Sequence, residues 1–120
     1  MIGGRGATIN GLGTALPGRV VTNAELAVTL DTSDEWIRQR TGIQARRVAD
    51  AGVSASDLGI VAARVALADA GLSAEQVGLV LTATISPDQL MPATAARIAY
   101  KVGAVNAGSC DVSAGCTGFV

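Results

Sequence analysis

The chain has 120 residues, of which 49% are hydrophobic and 16% are charged, and its formal net charge is −1. This length is sufficient for one modest domain with a core of its own, and the near-neutral charge gives no general attraction to nucleic acid or to an anionic membrane. No apolar run is long enough to span a bilayer, and residues 1–5 do not resemble a signal peptide, so a cytoplasmic location is expected.

The first part of the chain predicts one strand, two short helices and a strand arm. Residues 7–16 favour a strand that ends at a Pro-Gly pair. A Thr-x-x-Glu capping box opens a short helix over residues 22–30. Two acids mark the first turn of a second helix, over residues 32–42, and residues 43–48 alternate like a strand or hairpin arm.

The second part predicts helices alternating with apolar strands. A long helix is expected over residues 56–70, a strand covered on both faces over 77–85, a helix over 92–102 and a last strand over 107–112. This order favours an α/β fold with a mostly parallel sheet and right-handed crossovers. The buried stripe of the long helix is predicted to consist of Leu58, Val61, Ala62, Val65 and Ala68.

Two glycines in the first predicted strand, Gly11 and Gly13, resemble part of a dinucleotide-binding fingerprint. Leu16 stands where the third glycine is required, and a Pro-Gly pair follows instead of a helix. We therefore interpret the two glycines as positions of close backbone approach.

Residues 109–120 predict a strand, a tight turn and the start of a helix with Cys116 at its mouth. A thiol there faces unpaired backbone N–H groups, which favour the nucleophilic thiolate. By spacing alone a cysteine in an apolar chain is more often a small core residue, and this is our interpretation of Cys110. The chain has no His, so no conventional zinc site is expected from this chain alone, and the two cysteines lack the Cys-x-x-Cys redox spacing.

Two segments of the chain are distinctive. The first is Asp31-Thr32-Ser33-Asp34-Glu35-Trp36-Ile37, followed by Arg40-Thr41-Gly42-Ile43, and the second is Asp111-Val112-Ser113-Ala114-Gly115-Cys116-Thr117-Gly118-Phe119. Both resemble the signatures of one enzyme family, the β-ketoacyl-acyl carrier protein synthases III. The resemblance runs from about residue 7 to 120. It implies a thiolase-like fold, with residues 1–120 forming most of the first βαβαβ half of a layered α/β sandwich. The C-terminal half would be absent from the chain.

The resemblance also implies roles for individual residues. Cys116 corresponds to the nucleophile that accepts an acyl group from acyl-coenzyme A. Trp36 matches the residue that stacks on the coenzyme A adenine, and Thr32 and Arg40 match neighbours that contact the nucleotide portion. Met91 lies where the dimer-interface loop reaches the partner's acyl pocket, so it would limit acyl length or branching.

The implied reaction is chain initiation in fatty-acid or polyketide synthesis by decarboxylative Claisen condensation. Its partners would be acyl-coenzyme A, malonyl-acyl carrier protein and a second subunit in a homodimer, with no cofactor other than the coenzyme A thioester substrate. The family's oxyanion-stabilising His and Asn come from the second half, so we expect this chain to be inactive by itself. Two alternatives remain: a non-condensing acyltransferase of the same superfamily, and a non-catalytic truncated piece that needs a partner.

Overall fold

The computed structural model describes residues 6–119 and divides into two compact units. The small unit is Leu16–Val53, and the large unit combines Met1–Ala15 with Ser54–Val120. Residues 1–5, on which the signal-peptide expectation rests, and Val120 lie outside the described residues. None of the helices within 6–119 has both the length and the apolar character needed to cross a bilayer.

The small unit contains a two-stranded antiparallel sheet and two helices. Strand β1 (Arg19–Thr22) pairs with β2 (Ala45–Val48), and helices α1 (Asn23–Ala27) and α2 (Asp34–Thr41) lie between them in sequence. The strand arm predicted over residues 43–48 is confirmed as β2. Its partner β1 was not predicted, because a four-residue strand directly before a helix cap has no distinctive pattern.

Both helices of the small unit begin where the sequence predicts. The capping box is present: Thr22 Oγ1 accepts from Glu25 N at 3.2 Å, and Glu25 Oε2 accepts from Thr22 N at 2.7 Å. The hydrogen bonds from Thr22 lower the pKa of Glu25. Helix α2 starts after Ser33, whose Oγ accepts from Trp36 N, and ends at Gly42 with φ 73°. A positive φ there favours glycine.

The large unit contains helices α3 (Ala55–Ala70) and α4 (Thr94–Val102) and strands β3 (Leu79–Ala83) and β4 (Gly108–Val112). Single 3₁₀ turns lie at Ala74–Gln76 and Gly115–Phe119. The long predicted helix is confirmed as α3.

Strands β3 and β4 are parallel, with Leu79 opposite Gly108 and Ala83 opposite Val112. Helix α4 connects them in sequence and packs against both, as the alternation of helices and strands predicts. The expectation that β3 is covered on both faces is wrong for the described residues, because Leu79 and Leu81 are 56% and 58% exposed. The expectation of a mostly parallel sheet is replaced by one parallel and one antiparallel pair.

The strand predicted over residues 7–16 is wrong: the described residues 6–18 form no regular secondary structure. The segment instead lies on α3. A Cβ atom at Gly11 or Gly13 would collide with the α3 backbone at Ala66 and Ala62 respectively, so the predicted close approach is confirmed. Leu12 N donates to Asp69 Oδ2 at 2.9 Å. An alternating apolar segment becomes a strand only beside another strand, and the paired strands of the described chain do not include it.

The face of α3 that is buried differs from the predicted one. Val61 and Val65 are 50% and 46% exposed, and Ala68 is exposed as well. The helix makes its close contacts through small residues: Gly59 lies against Ile98, and Ala62, Ala66 and Ala70 lie against the glycine-containing segment. Small residues let backbones approach closely, and a pattern of large apolar side chains does not reveal that face.

A carboxylate from β4 caps helix α4. Asp111 Oδ2 accepts from Thr94 N at 2.7 Å, and Asp111 Oδ1 accepts from Ala95 N at 2.8 Å. The N-cap position of α4 is Ala93, which has no side chain able to cap. Thr94 and Ala95 are fully buried. Asp111 therefore satisfies two helix N–H groups that would otherwise be buried without partners.

We predict that Asp111→Ala lowers the free energy of unfolding by about 1–3 kcal/mol, the usual cost of leaving buried donors unpaired. Urea denaturation followed by circular dichroism measures this change. Asp69→Ala is the matched control, because among residues 6–119 the exposed Asp69 carboxylate accepts only from Leu12 N, and we expect this variant to cost less than about 1 kcal/mol. Equal losses in the two variants would contradict the capping role.

Candidate functional site

Cys116 lies in the 3₁₀ turn Gly115–Phe119, directly after β4, and its side chain is exposed. Gly115 has φ 54°, and both the backbone N and Oγ1 of Thr117 donate to Ala114 O, at 3.2 and 2.7 Å. The sequence predicted the start of a helix here; the described residues form a five-residue 3₁₀ turn, so the α-helix dipole invoked above is not present in them. The turn nevertheless presents the thiol to solvent.

The turn that carries Cys116 packs against the end of β3. A Cβ atom on Gly118 would lie 2.9 Å from Ala83 Cβ, closer than real Cβ atoms approach, so only glycine fits without a shift. This contact fixes the turn at the carboxyl ends of two parallel strands. In open α/β sheets, ligands bind at this edge.

Cys110 does not have the core position that we predicted. It lies in β4 opposite Leu81, and its side chain is exposed. At this position the described residues leave the strand face open, since Leu81 is 58% exposed. The described chain thus presents two exposed free thiols, and they differ in setting: one in a strand, one in a turn.

Trp36 and Arg40 form a stacked pair on α2. They are one helical turn apart, and Arg40 Cζ lies 4.7 Å from the centroid of the Trp36 ring. Trp36 is 53% exposed. A guanidinium over an indole is a favourable cation–π contact, and the pair can offer an aromatic surface together with a cation for phosphate.

Thr32 precedes the N-cap of α2 and is half-buried. Its Oγ1 is buried and has no hydrogen-bond partner among residues 6–119. Thr32 therefore lies four residues before Trp36 in the sequence, but its hydroxyl points inward and not to solvent.

Met91 lies in the loop between β3 and α4 and is 85% exposed, next to Leu90 at 98%. Gln89 Nε2 donates to Met91 O at 2.9 Å. The loop therefore presents two large apolar side chains to solvent, which is compatible with a contact to another protein surface.

The base of this loop is fixed by Asp88, a residue that the sequence did not single out. Asp88 Oδ1 accepts from Ser56 N at 2.9 Å, and Asp88 N donates to Thr94 Oγ1 at 3.3 Å. Asp88 Oδ2 lies 3.2 Å from Arg97 Nη1, a distance typical of an ion pair, without the geometry of a hydrogen bond. The Asp88 side chain is only 3% exposed.

Burial would raise the pKa of Asp88, but the hydrogen bonds from Ser56 and Ser54 and the charge of Arg97 together hold it below its ordinary value. Nothing in the local pattern around Asp88 distinguishes it from an ordinary loop aspartate. Its partners come from two helices, 32 residues before it and 6 after it.

A solvated basic face is the simplest expectation for four arginines of the small unit, Arg38, Arg40, Arg46 and Arg47, and it is wrong for Arg46. Arg46 is half-buried and donates to Asn23 Oδ1 at 2.7 Å, and Arg47 donates to Pro17 O and Gly18 O. Arg38 lies 3.6 Å from Asp34 in an exposed pair. Arg40 makes no ion pair with a described residue, so its charge is available to a ligand.

No group of three or more His, Cys, Asp or Glu side chains suited to a metal ion occurs within residues 6–119. No protein-family model matches the chain.

Curated proteins of one kind are similar to the chain over nearly its whole length. The chain is 49% identical over 116 residues to a β-ketoacyl-[acyl-carrier-protein] synthase III of Streptomyces coelicolor, covering 97% of this chain and 35% of the relative. It is 47% identical to the corresponding protein of Geobacillus kaustophilus, covering 96% of this chain and 37% of that protein. These curated relatives are β-ketoacyl-[acyl-carrier-protein] synthases III, and the similarity extends over nearly the whole of this chain.

Solved structures of β-ketoacyl-acyl carrier protein synthases III have the same fold over the matched region. The 3-oxoacyl-[acyl-carrier-protein] synthase III of Aquifex aeolicus superposes with a TM-score of 0.90 at 40% identity, covering 95% of this chain and 37% of that one. The priming β-ketosynthase of the R1128 polyketide pathway gives 0.88 at 38% identity, covering 92% and 33%. These matches confirm the thiolase-like α/β fold, as part of one half. The chain spans about a third of the length of the relatives it matches.

We predict that Asp88 contributes to acid sensitivity. Its folded-state pKa is lowered from an unfolded value of about 3.9, so its stabilisation is fully present above that value and is lost as pH falls through the folded pKa. Asp88→Asn should therefore be destabilised at neutral pH, and its deficit relative to the parent should shrink as the pH falls below about 4.

Urea denaturation at a series of pH values measures this difference. Asp50→Asn is the control, since the exposed Asp50 side chain makes no hydrogen bond with a described residue. A deficit for Asp88→Asn that does not change with pH would contradict the assignment.

Proposed function

We propose that this chain supplies the acyl-accepting nucleophile and the coenzyme A contacts of an enzyme that starts fatty-acid or polyketide chains. The observation that carries the proposal is the exposed thiol of Cys116 at the carboxyl ends of two parallel strands. This thiol belongs to a chain that is similar to synthases III, and one of the matched structures is a priming β-ketosynthase.

In the proposed reaction, the Cys116 thiolate attacks the carbonyl carbon of an acyl-coenzyme A thioester. The coenzyme A thiolate leaves, and the acyl group remains as a thioester on Cys116. Backbone N–H groups near Cys116 would stabilise the oxyanion of this step. Malonyl-acyl carrier protein then loses carbon dioxide, and the resulting carbanion attacks the acyl carbon. A carbon–carbon bond forms, and the Cys116 sulfur leaves.

The Trp36–Arg40 pair is our proposed contact for the nucleotide portion of coenzyme A. Arg40 covers one face of the indole, so the other face can stack on adenine, and the guanidinium can pair with a phosphate. Thr32 would contact the nucleotide portion next to this pair. Since its hydroxyl points inward, a backbone contact is the simpler role for it.

Met91 is proposed to act where two subunits of a homodimer meet, at the partner's acyl pocket. Its exposure beside Leu90 supports this role, because two large apolar side chains in solvent gain stability when a partner covers them. Coenzyme A takes part as a thioester substrate, and we propose no separate cofactor.

The chain contains no His, so the family's oxyanion-stabilising His cannot come from these 120 residues. The decarboxylation and condensation steps therefore need residues from elsewhere, whereas the acyl transfer to Cys116 does not need that His.

We predict that the chain releases coenzyme A from an acyl-coenzyme A in a single turnover. One equivalent of free thiol per chain is expected, measured with a coenzyme A-specific enzymatic assay. Cys116→Ser should abolish the release, and Cys110→Ser is the matched control that should keep it, since both thiols are exposed. Release that survives Cys116→Ser would contradict the assignment of the nucleophile.

We predict that the same chain makes no ketoacyl product in repeated turnovers when malonyl-acyl carrier protein is added. The physical reason is that nothing in the chain replaces the missing His at the developing thioester oxyanion. Mass spectrometry of the carrier protein detects the product. Sustained ketoacyl formation by this chain alone would show that the account of the missing groups is wrong.

A further inference from the structure

Asn23 is a buried amide at the centre of the small unit, with 1% of its surface exposed. Its Nδ2 donates to Asp34 Oδ1 and to Ile43 O, both at 2.8 Å. Its Oδ1 accepts from Arg46 Nη2 at 2.7 Å. Both donors and the oxygen of this side chain are thus satisfied, as buried polar groups require.

Through these bonds Asn23 contacts both ends of helix α2. Asp34 is the first residue of α2, and Ile43 follows its C-cap, Gly42. None of the residues of α2 is buried. Apolar packing therefore does little to hold this helix, and the bonds from Asn23 are a principal restraint on its position.

Arg46 determines which way the amide of Asn23 faces. A guanidinium only donates hydrogen bonds, so the atom that faces Arg46 must be the amide oxygen. Arg46 Nη1 also approaches Val21 O at 3.5 Å. Strand β2 thereby orients the Asn23 side chain so that its NH₂ group points to Asp34 and Ile43.

We propose that Asn23 is a positioning residue for the Trp36–Arg40 pair and, resting on the function proposed above, for the nucleotide portion of coenzyme A. Trp36 follows Asp34 by two residues, and Arg40 precedes Ile43 by three. A movement of either end of α2 would therefore displace the stacked pair, whose geometry depends on the helical spacing between them.

The sharpest test compares two neighbouring acids in the first turn of α2. Asp34→Ala removes the carboxylate that Asn23 contacts, together with the exposed pairing to Arg38. Glu35→Ala is the matched control. It removes the same charge from the same helical turn, together with a hydrogen bond from Gln39 Nε2, which is four residues away as Arg38 is from Asp34. It leaves the contacts of Asn23 unchanged. Both sites are exposed, so both variants are expected to fold.

The chain has one tryptophan, so its fluorescence reports on Trp36 alone. In the unliganded chain we expect acrylamide quenching to rise and anisotropy to fall in Asp34→Ala relative to Glu35→Ala. In a coenzyme A titration we expect the dissociation constant of Asp34→Ala to rise about three- to tenfold, and that of Glu35→Ala to rise less than about twofold.

A second pair of variants tests Asn23 itself. Asn23→Asp keeps the size and the oxygen that faces Arg46 but places a second carboxylate against Asp34. Adding Asp34→Asn to that variant returns a donor to this contact, so part of the loss in affinity and in anisotropy should be recovered. Asn106→Asp is the control for the amide change, because the exposed Asn106 side chain donates, within the described part of the chain, only to Glu75 O.

The two parts of the proposal fail in different ways. Equal quenching and anisotropy in Asp34→Ala and Glu35→Ala, or no recovery in the double variant, would overturn the positioning role of Asn23. An unaltered chain that does not bind coenzyme A would overturn the proposed nucleotide site, whatever the fluorescence of the variants shows.

Discussion

The Asp111 carboxylate binds the first two N–H groups of α4 from the end of β4, five residues before Cys116. Such bonds matter here because few apolar side chains among residues 6–119 are buried: Val21 in the small unit, and Ala95, Ile98, Ala99 and Ala104 in the large unit. Asp88 fixes the loop of Met91 in the same way, between α3 and α4. In the small unit, Asn23 holds α2 through both of its ends. Polar side chains that cross between elements thus position the segments that carry the candidate functional residues.

Local signals made much of the fold predictable. The capping boxes that open α1 and α3 and the glycines with positive φ after α2, α3 and α4 mark helix ends by short-range chemistry. Features that depend on distant partners were not predictable. The alternation in residues 7–16 and the continuous apolar run of β3 indicate strands with neighbours, yet the described chain leaves the first unpaired and one face of the second uncovered.

The candidate site shows the same division. Sequence motifs indicated the candidate residues Cys116, Trp36, Arg40, Thr32 and Met91. The structure shows that Trp36 and Arg40 stack, that Cys116 lies in an exposed turn and that Met91 lies in an exposed loop. The residues that fix these elements, Asn23, Asp88 and Asp111, were missed as such, because a polar residue in a cap or loop has the same local pattern whether it is solvated or buried. Whether such a residue is solvated or buried depends on where its hydrogen-bond partners lie in the fold.

Peptide mapping shows which thiol accepts the acyl group, and we propose that it is Cys116. The chain is incubated with an acyl-coenzyme A, quenched in acid and digested, and the site of the added acyl mass is read by tandem mass spectrometry. Cys110 and Cys116 are both exposed, so access alone does not select between them. We expect the acyl group on Cys116 and an unmodified Cys110. An acyl group on Cys110, or equal labelling of both thiols, would contradict it.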